Sequence, residues 1–185
     1  MYKNVSITLI MASAIAAILI VPSAVLQRSH AQSDLANTVL AVHNRERAAV
    51  GSPELKWSDS LAADAKSWAE HLVTLNQGKP LDERSDLVHA TGTGQGENLA
   101  QRAAWGSGPT SPPSTESLLQ GWVNEKPYRG SFDHYTQMVW KTTKEVGCGA
   151  ASASGTAAGG SMTGQTAYLV CRYSPPGNIA GEKPY

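Results

Sequence analysis

The hydrophobic period of the chain changes once along its length, and that change narrows the architectures open to it. Leu61, Ala62, Ala65, Trp68, Ala69 and Leu72 follow an i, i+1, i+4, i+7, i+8, i+11 stripe, the pattern of a helix with one buried face. Near the other end Tyr168, Val170 and Arg172 alternate with Ala167, Leu169, Cys171 and Tyr173, the period-two pattern of a strand. Around these anchors, Asp34 is expected to cap a helix carrying Leu35, Val39, Val42 and Glu46 that closes at Gly51 before Pro53. Ser58 or Ser60 is expected to cap the striped helix. Ser114 or Thr115 opens another, with Leu118, Leu119, Trp122 and Val123 on one face and Pro127 beyond its end. A short helical or turn segment over residues 135–140 leads to a strand near 145–150, and 165–174 supplies its partner. Residues 77–96 read as an irregular connection, 105–113 as a Gly/Pro surface loop and 152–164 as a flexible hairpin connection. Helices first and paired strands last predict the α+β class, helices layered on an antiparallel sheet.

The first 31 residues stand apart. Lys3, an apolar stretch over residues 7–26 and the ending Ser29-His30-Ala31 have the order of a secretory signal peptide, with cleavage expected after Ala31. The apolar stretch also has about the length of a membrane span, so an uncleaved anchor is the alternative. Either way residues 32–185 form one domain outside the cytoplasm. Cys148 and Cys171 then read as a disulfide, worth about 3 kcal/mol for a loop of roughly two dozen residues. The one Asn-x-Ser/Thr sequon, Asn4-Val5-Ser6, lies in the leader.

Basic and acidic residues number 15 each over the whole chain. Lys3 and Arg28 belong to the leader, so the domain itself is slightly acidic. A nucleic-acid partner, which would call for a basic excess, is not expected. The run Gly92-Thr93-Gly94-Gln95-Gly96 lacks the Lys and the strand-turn-helix setting of a phosphate cradle and reads as a loop.

The residues able to carry chemistry are His89, Glu97, Glu125 and His134, and no periodicity brings them together. A family resemblance does. Residues 132–143, Phe-Asp-His-Tyr-Thr-Gln-Met-Val-Trp-Lys-Thr-Thr, followed by Val146-Gly147-Cys148-Gly149, resemble the first signature of the CAP superfamily of cysteine-rich secretory proteins, antigen 5 and plant pathogenesis-related proteins. The stretch from Tyr168 through Cys171-Arg172-Tyr173 to Asn178 resembles the second. His43-Asn44 with Arg47, Leu55 with Trp57, Gly96-Glu97-Asn98-Leu99-Ala100, and Trp122 with Glu125 match in the family's order, over about residues 34–178. The resemblance implies a three-layer α-β-α sandwich with a central antiparallel sheet. It also implies a cleft tetrad of His89, Glu97, Glu125 and His134, in which His89 and His134 hold a divalent ion, zinc above others, with the acids beside it.

Two features depart from the family. Only eight residues separate Glu125 from His134, where many relatives carry a longer connection, and no Cys-rich tail follows Asn178. Activities attached to that tail, channel blockade among them, are not implied.

Three functions suit these residues. The resemblance implies an extracellular binding module for a small apolar ligand of sterol or fatty-acid type, or for a cell-surface partner, with a membrane involved only if the leader stays. Among the tryptophans, Trp105 alone stands in a loop where a core role is less obvious. The alternative is a metal-assisted hydrolase or peptidase with Glu97 or Glu125 as general base. In the third reading the tetrad is chiefly structural, its histidines and carboxylates satisfying one another.

Overall fold

The computed structural model describes residues 23–185, with side chains from residue 30 onward. The sequon and most of the proposed leader lie outside the described residues. The elements run α1 (Ser23–Val50), β1 (Lys56–Trp57), α2 (Asp59–Leu75), a 3-10 turn (Leu81–Glu83), β2 (Gly96–Gly106), α3 (Thr115–Val123), α4 (His134–Met138), β3 (Glu145–Thr156) and β4 (Thr163–Ser174). Among the described residues no helix is long and apolar enough to cross a membrane.

One sheet of order β1-β3-β4-β2 forms the middle layer. β3 with β4 and β4 with β2 pair antiparallel. β1 adds a two-residue parallel pairing to β3, Lys56 opposite Glu145 and Trp57 opposite Val146. The alternation along β4 sorts its side chains between two cores. Tyr168 and Val170 meet Ala65, Ala69 and Leu72 of α2 together with Leu99 of β2. Ala167, Leu169, Cys171 and Tyr173 meet Val39 and Val42 of α1, Leu119 and Trp122 of α3, and Met138 of α4. The result is the expected α-β-α sandwich, with α2 on one face and α1, α3 and α4 on the other. Cys148 and Cys171 are register partners on β3 and β4 and form the disulfide, their Cα atoms 4.1 Å apart.

Three local expectations are corrected. Asp34 does not start α1, which runs from Ser23 straight through it, because residues 23–33 contain no Gly or Pro to interrupt the helix. The small-residue stretch after Ala150 is mostly strand: β3 continues to Thr156 and β4 begins at Thr163. Here ladder pairing to β4 overrides weak intrinsic strand preference. The strands do not all follow the helices either, since β2 precedes α3 and supplies the outer partner of β4. Gly51, with φ +75°, follows α1 and Ser114 caps α3 by accepting from Ser117 N, both as expected; Ser58 takes the N-cap position of α2 without a side-chain cap bond. Asp133 and Thr136 add a capping box on α4.

Candidate functional site

Each histidine of the proposed tetrad is held by one of its glutamates. His89, on the loop before β2, donates Nδ1–H to Glu97 Oε1 at 2.6 Å, and Ala90 N donates to the same oxygen at 3.1 Å. Glu97 Oε2 lies 2.8 Å from Arg172 Nη2. His134, the first residue of α4, donates Nδ1–H to Glu125 Oε1 at 2.7 Å. Glu125 Oε2 accepts from His134 N at 2.8 Å and from Tyr135 N at 3.3 Å, so it also satisfies free amides of the α4 N-terminus. Because carboxylates only accept, Nδ1 of each ring carries a proton; in the neutral form of the ring this leaves the lone pair on Nε2, which has no hydrogen-bond partner among the described residues. Trp122 stacks on the His134 ring at 5.7 Å and 17°, and its own Nε1 donates to Leu99 O at 3.2 Å.

The two pairs are joined at the start of β2, where Glu97 belongs to one and its neighbour Asn98 holds the other. Asn98 Nδ2 donates to His134 O at 3.0 Å and to the Tyr173 hydroxyl at 3.1 Å. The Tyr173 oxygen lies 2.9 Å from His43 Nε2, and His43 Nδ1 lies 2.8 Å from Val39 O. A carbonyl only accepts, so His43 carries its proton on Nδ1 and takes the Tyr173 O–H at Nε2. The directed chain Asn98 to Tyr173 to His43 to Val39 thus ties α1 through β4 and β2 to the first residue of α4. In the sequence His43 and Asn98 stand out only as parts of family words. Their roles depend on which strands are neighbours, which no sequence spacing reveals.

Burial pushes the His43 ring down to about 4 from its ordinary 6.5, with Arg47 nearby acting in the same direction. The unfolded chain therefore takes up a proton between these values that the folded chain refuses, so stability falls as pH drops from 6.5 toward 4. The full effect is about 3 kcal/mol. Urea unfolding of the wild type at stepwise lower pH is expected to show this slope. A flat profile through that window would remove the neutral, buried His43.

A cavity of about 720 Å³ opens against β3, which β4 separates from β2 in the sheet. Leu35 and Thr38 of α1, Ala62 and Lys66 of α2, Thr115 of α3 and Ala150 of β3 are among its lining residues. None of the four tetrad residues lines it. Trp105 is not in a loop as expected: it is the penultimate residue of β2, paired with Gly164 and 41% exposed.

The chain is similar to known proteins in sequence and in fold. The family described as CAP, the cysteine-rich secretory protein family, matches residues 40–173. Pathogenesis-related protein 1C of Nicotiana tabacum is 35% identical over 167 residues, covering 84% of this chain and 83% of its own length. Venom allergen 5 of Polistes fuscatus is 32% identical over 142 residues, 71% of this chain and 60% of its own. Among solved structures, NaASP2 with Zn2+ superposes with a TM-score of 0.53 at 21% identity, covering 83% of this chain and 86% of that one. MpPR-1i gives 0.53 at 22% identity, covering 80% and 92%.

Proposed function

The chain belongs to the CAP family of cysteine-rich secretory proteins, and on that premise we propose that it is an exported binding module. In this reading the leader over residues 1–31 is removed, and residues 32–185 carry a divalent-ion site at His89 and His134 and a small apolar ligand in the cavity between α1 and α2.

The observation that carries the reading is the commitment of both carboxylates. Glu97 meets His89, the Ala90 amide and Arg172; Glu125 meets His134 and two helix amides. A general base needs a carboxylate oxygen aimed at water; three of these four oxygens already accept protein hydrogen bonds, and the fourth, Glu97 Oε2, is buried against Arg172 in an ion pair. The acids are built to orient imidazoles, which favours binding over hydrolysis. Two imidazoles with open Nε2 atoms suit zinc. Among the described residues no group of three or more His, Cys, Asp or Glu side chains could hold a metal ion; the proposed ion would take His89 and His134 as its only protein ligands. When bound it supplies a Lewis acid with positions left to water or ligand. Ala31, which borders this cavity, leaves with the leader, so the ligand site of the mature chain is the groove that remains against β3; its Leu35, Ala62 and Ala150 lining suits an apolar chain while Lys66 and Thr115 offer polar contacts.

Native mass spectrometry of protein purified from its own exported fraction tests all of this together. We expect a chain beginning at Gln32 with the disulfide formed, a bound divalent ion that is lost in the His89→Ala, His134→Ala double variant, and a co-purifying apolar molecule that this variant keeps. Protein that carries neither ion nor lipid, and that fails to bind added sterol or fatty acid at micromolar levels, would end the proposal.

A further inference from the structure

We infer that Arg172 is a positioning residue of this site: it anchors the Glu97 carboxylate so that Glu97 in turn sets the His89 ring with Nε2 facing outward. The inference rests on the reading of His89 as an ion-facing imidazole. It begins with register. Arg172 of β4 and Glu97 of β2 stand directly opposite each other, so their side chains leave the sheet on the same face. On the other side of Arg172 the register partner is Gly147 of β3. A side chain there would collide with the first turn of α2, its Cβ 2.3 Å from Ala62 N and 2.4 Å from Ser58 O. That flank is therefore filled by helix backbone, and the guanidinium extends to the β2 side, where Glu97 lies.

Arg172 is 2% exposed, yet Nε and Nη1 are buried with no hydrogen-bond partner, and Nη2 meets Glu97 Oε2 at 2.8 Å as an ion pair without hydrogen-bond alignment. No other acid contacts it among the described residues. A buried guanidinium that leaves donors unsatisfied is a poor device for stability. Its effect falls on Glu97. With Oε2 anchored, Oε1 stays toward His89 Nδ1, and the ring, with 62% of its side chain exposed, presents Nε2 to solvent. Freed of Arg172, the carboxylate is able to swing away and the ring to return to the Nε2–H form that free imidazole prefers, which closes the ligand position. His134 has no such dependence, because two backbone amides hold Glu125.

The test is nitrogen-15 NMR of the imidazoles at mildly alkaline pH, without metal. In the wild type we expect Nδ1–H at His89. In Arg172→Met the His89 signal is expected to move to Nε2–H while His134 stays as it was, with partial return in Arg172→Lys. Zinc titration should show affinity about 10- to 100-fold weaker in Arg172→Met. An Nε2–H signal at His89 in the wild type overturns the inference whatever the variants do, and so does an unchanged His89 tautomer in folded Arg172→Met. Failure of the wild type to bind zinc, with the tautomer shift present, removes the metal reading and leaves the positioning role standing.

Discussion

Replacing Gly149 by alanine is expected to cost about 3 kcal/mol or more and to lower the melting temperature by roughly 10 °C. β3 lies so close to α2 that a Cβ at Gly149 would sit 2.2 Å from both the N and the Cα of Lys66 and 2.7 Å from Ala65 C. Those are backbone atoms of a regular helix, so no side chain has room to turn aside. The helix must move by about 1 Å or more, and Ala65, Ala69 and Leu72 move with it, although all three are fully buried against Tyr168 and Val170. The same change at Gly121 of α3 should have the opposite sign. Nothing lies within 4 Å of its Cβ position and its φ is ordinary, so alanine there stabilises by about 0.4–1 kcal/mol through helix preference and chain entropy. Thermal unfolding of the two variants followed by circular dichroism decides the matter. A Gly149→Ala protein that melts within about 2 °C of wild type would mean that the contact between α2 and β3 is looser than described.

The glycine contrast also marks how far sequence reading reaches. The stripe from Leu61 to Leu72 predicts the buried face of α2 well: Leu61, Ala62, Ala65, Ala69 and Leu72 are buried, and Trp68 lies at the edge of that face, its Nε1 donating to Val88 O at 2.9 Å. The alternation in β4 predicts which side chains enter which core. Both signals are local periods. β2 leaves no such signal, because Leu99-Ala100-Gln101-Arg102-Ala103-Ala104 has neither a strong alternation nor β-branched residues, and its strand state comes from pairing with β4 along its whole length. The family words single out Glu97, Glu125, His89 and His134 but not the residues that orient them. Arg172 faces Glu97 only through register, and Tyr173 reaches Asn98 and His43 only across the sheet. Gly147 and Gly149 likewise occur in the first family word, where their glycine identity has no evident cause until α2 is seen lying on them.

Arg47→Met is expected to have the largest effect of any single substitution in α1. The Arg47 side chain is fully buried and makes its contacts with carbonyls: Nε donates to Pro53 O at 2.5 Å, Nη1 to Met138 O at 3.0 Å and Trp140 O at 2.9 Å, and Nη2 to Thr143 O at 2.9 Å. No carboxylate pairs with it among the described residues. Burial accordingly pushes the guanidinium down to about 10, which leaves it charged at neutral pH. Methionine matches the volume of the stem but supplies none of the four donors. The carbonyls of Met138, Trp140 and Thr143 are buried, and each left orphaned costs about 1–3 kcal/mol, so the loss comes to at least about 3 kcal/mol, a large part of the 5–15 kcal/mol that typically holds a domain together. Arg47→Lys keeps the charge with a single ammonium that lacks the planar fork, and it should recover only part of the loss. Urea unfolding midpoints and the soluble yield of both variants measure this. If Arg47→Met lost less than about 1 kcal/mol, water would have to be satisfying carbonyls that the structure shows buried. The consequence reaches the candidate site. Met138 O and Trp140 O lie at the end of α4 and just beyond it, and His134 begins that helix. Arg47 and the His43 chain therefore fix α4 at both ends from one face of α1. The partial Arg47→Lys variant should then loosen the His134 and Glu125 pair while leaving the His89 and Glu97 pair intact, a difference that the same imidazole spectra report.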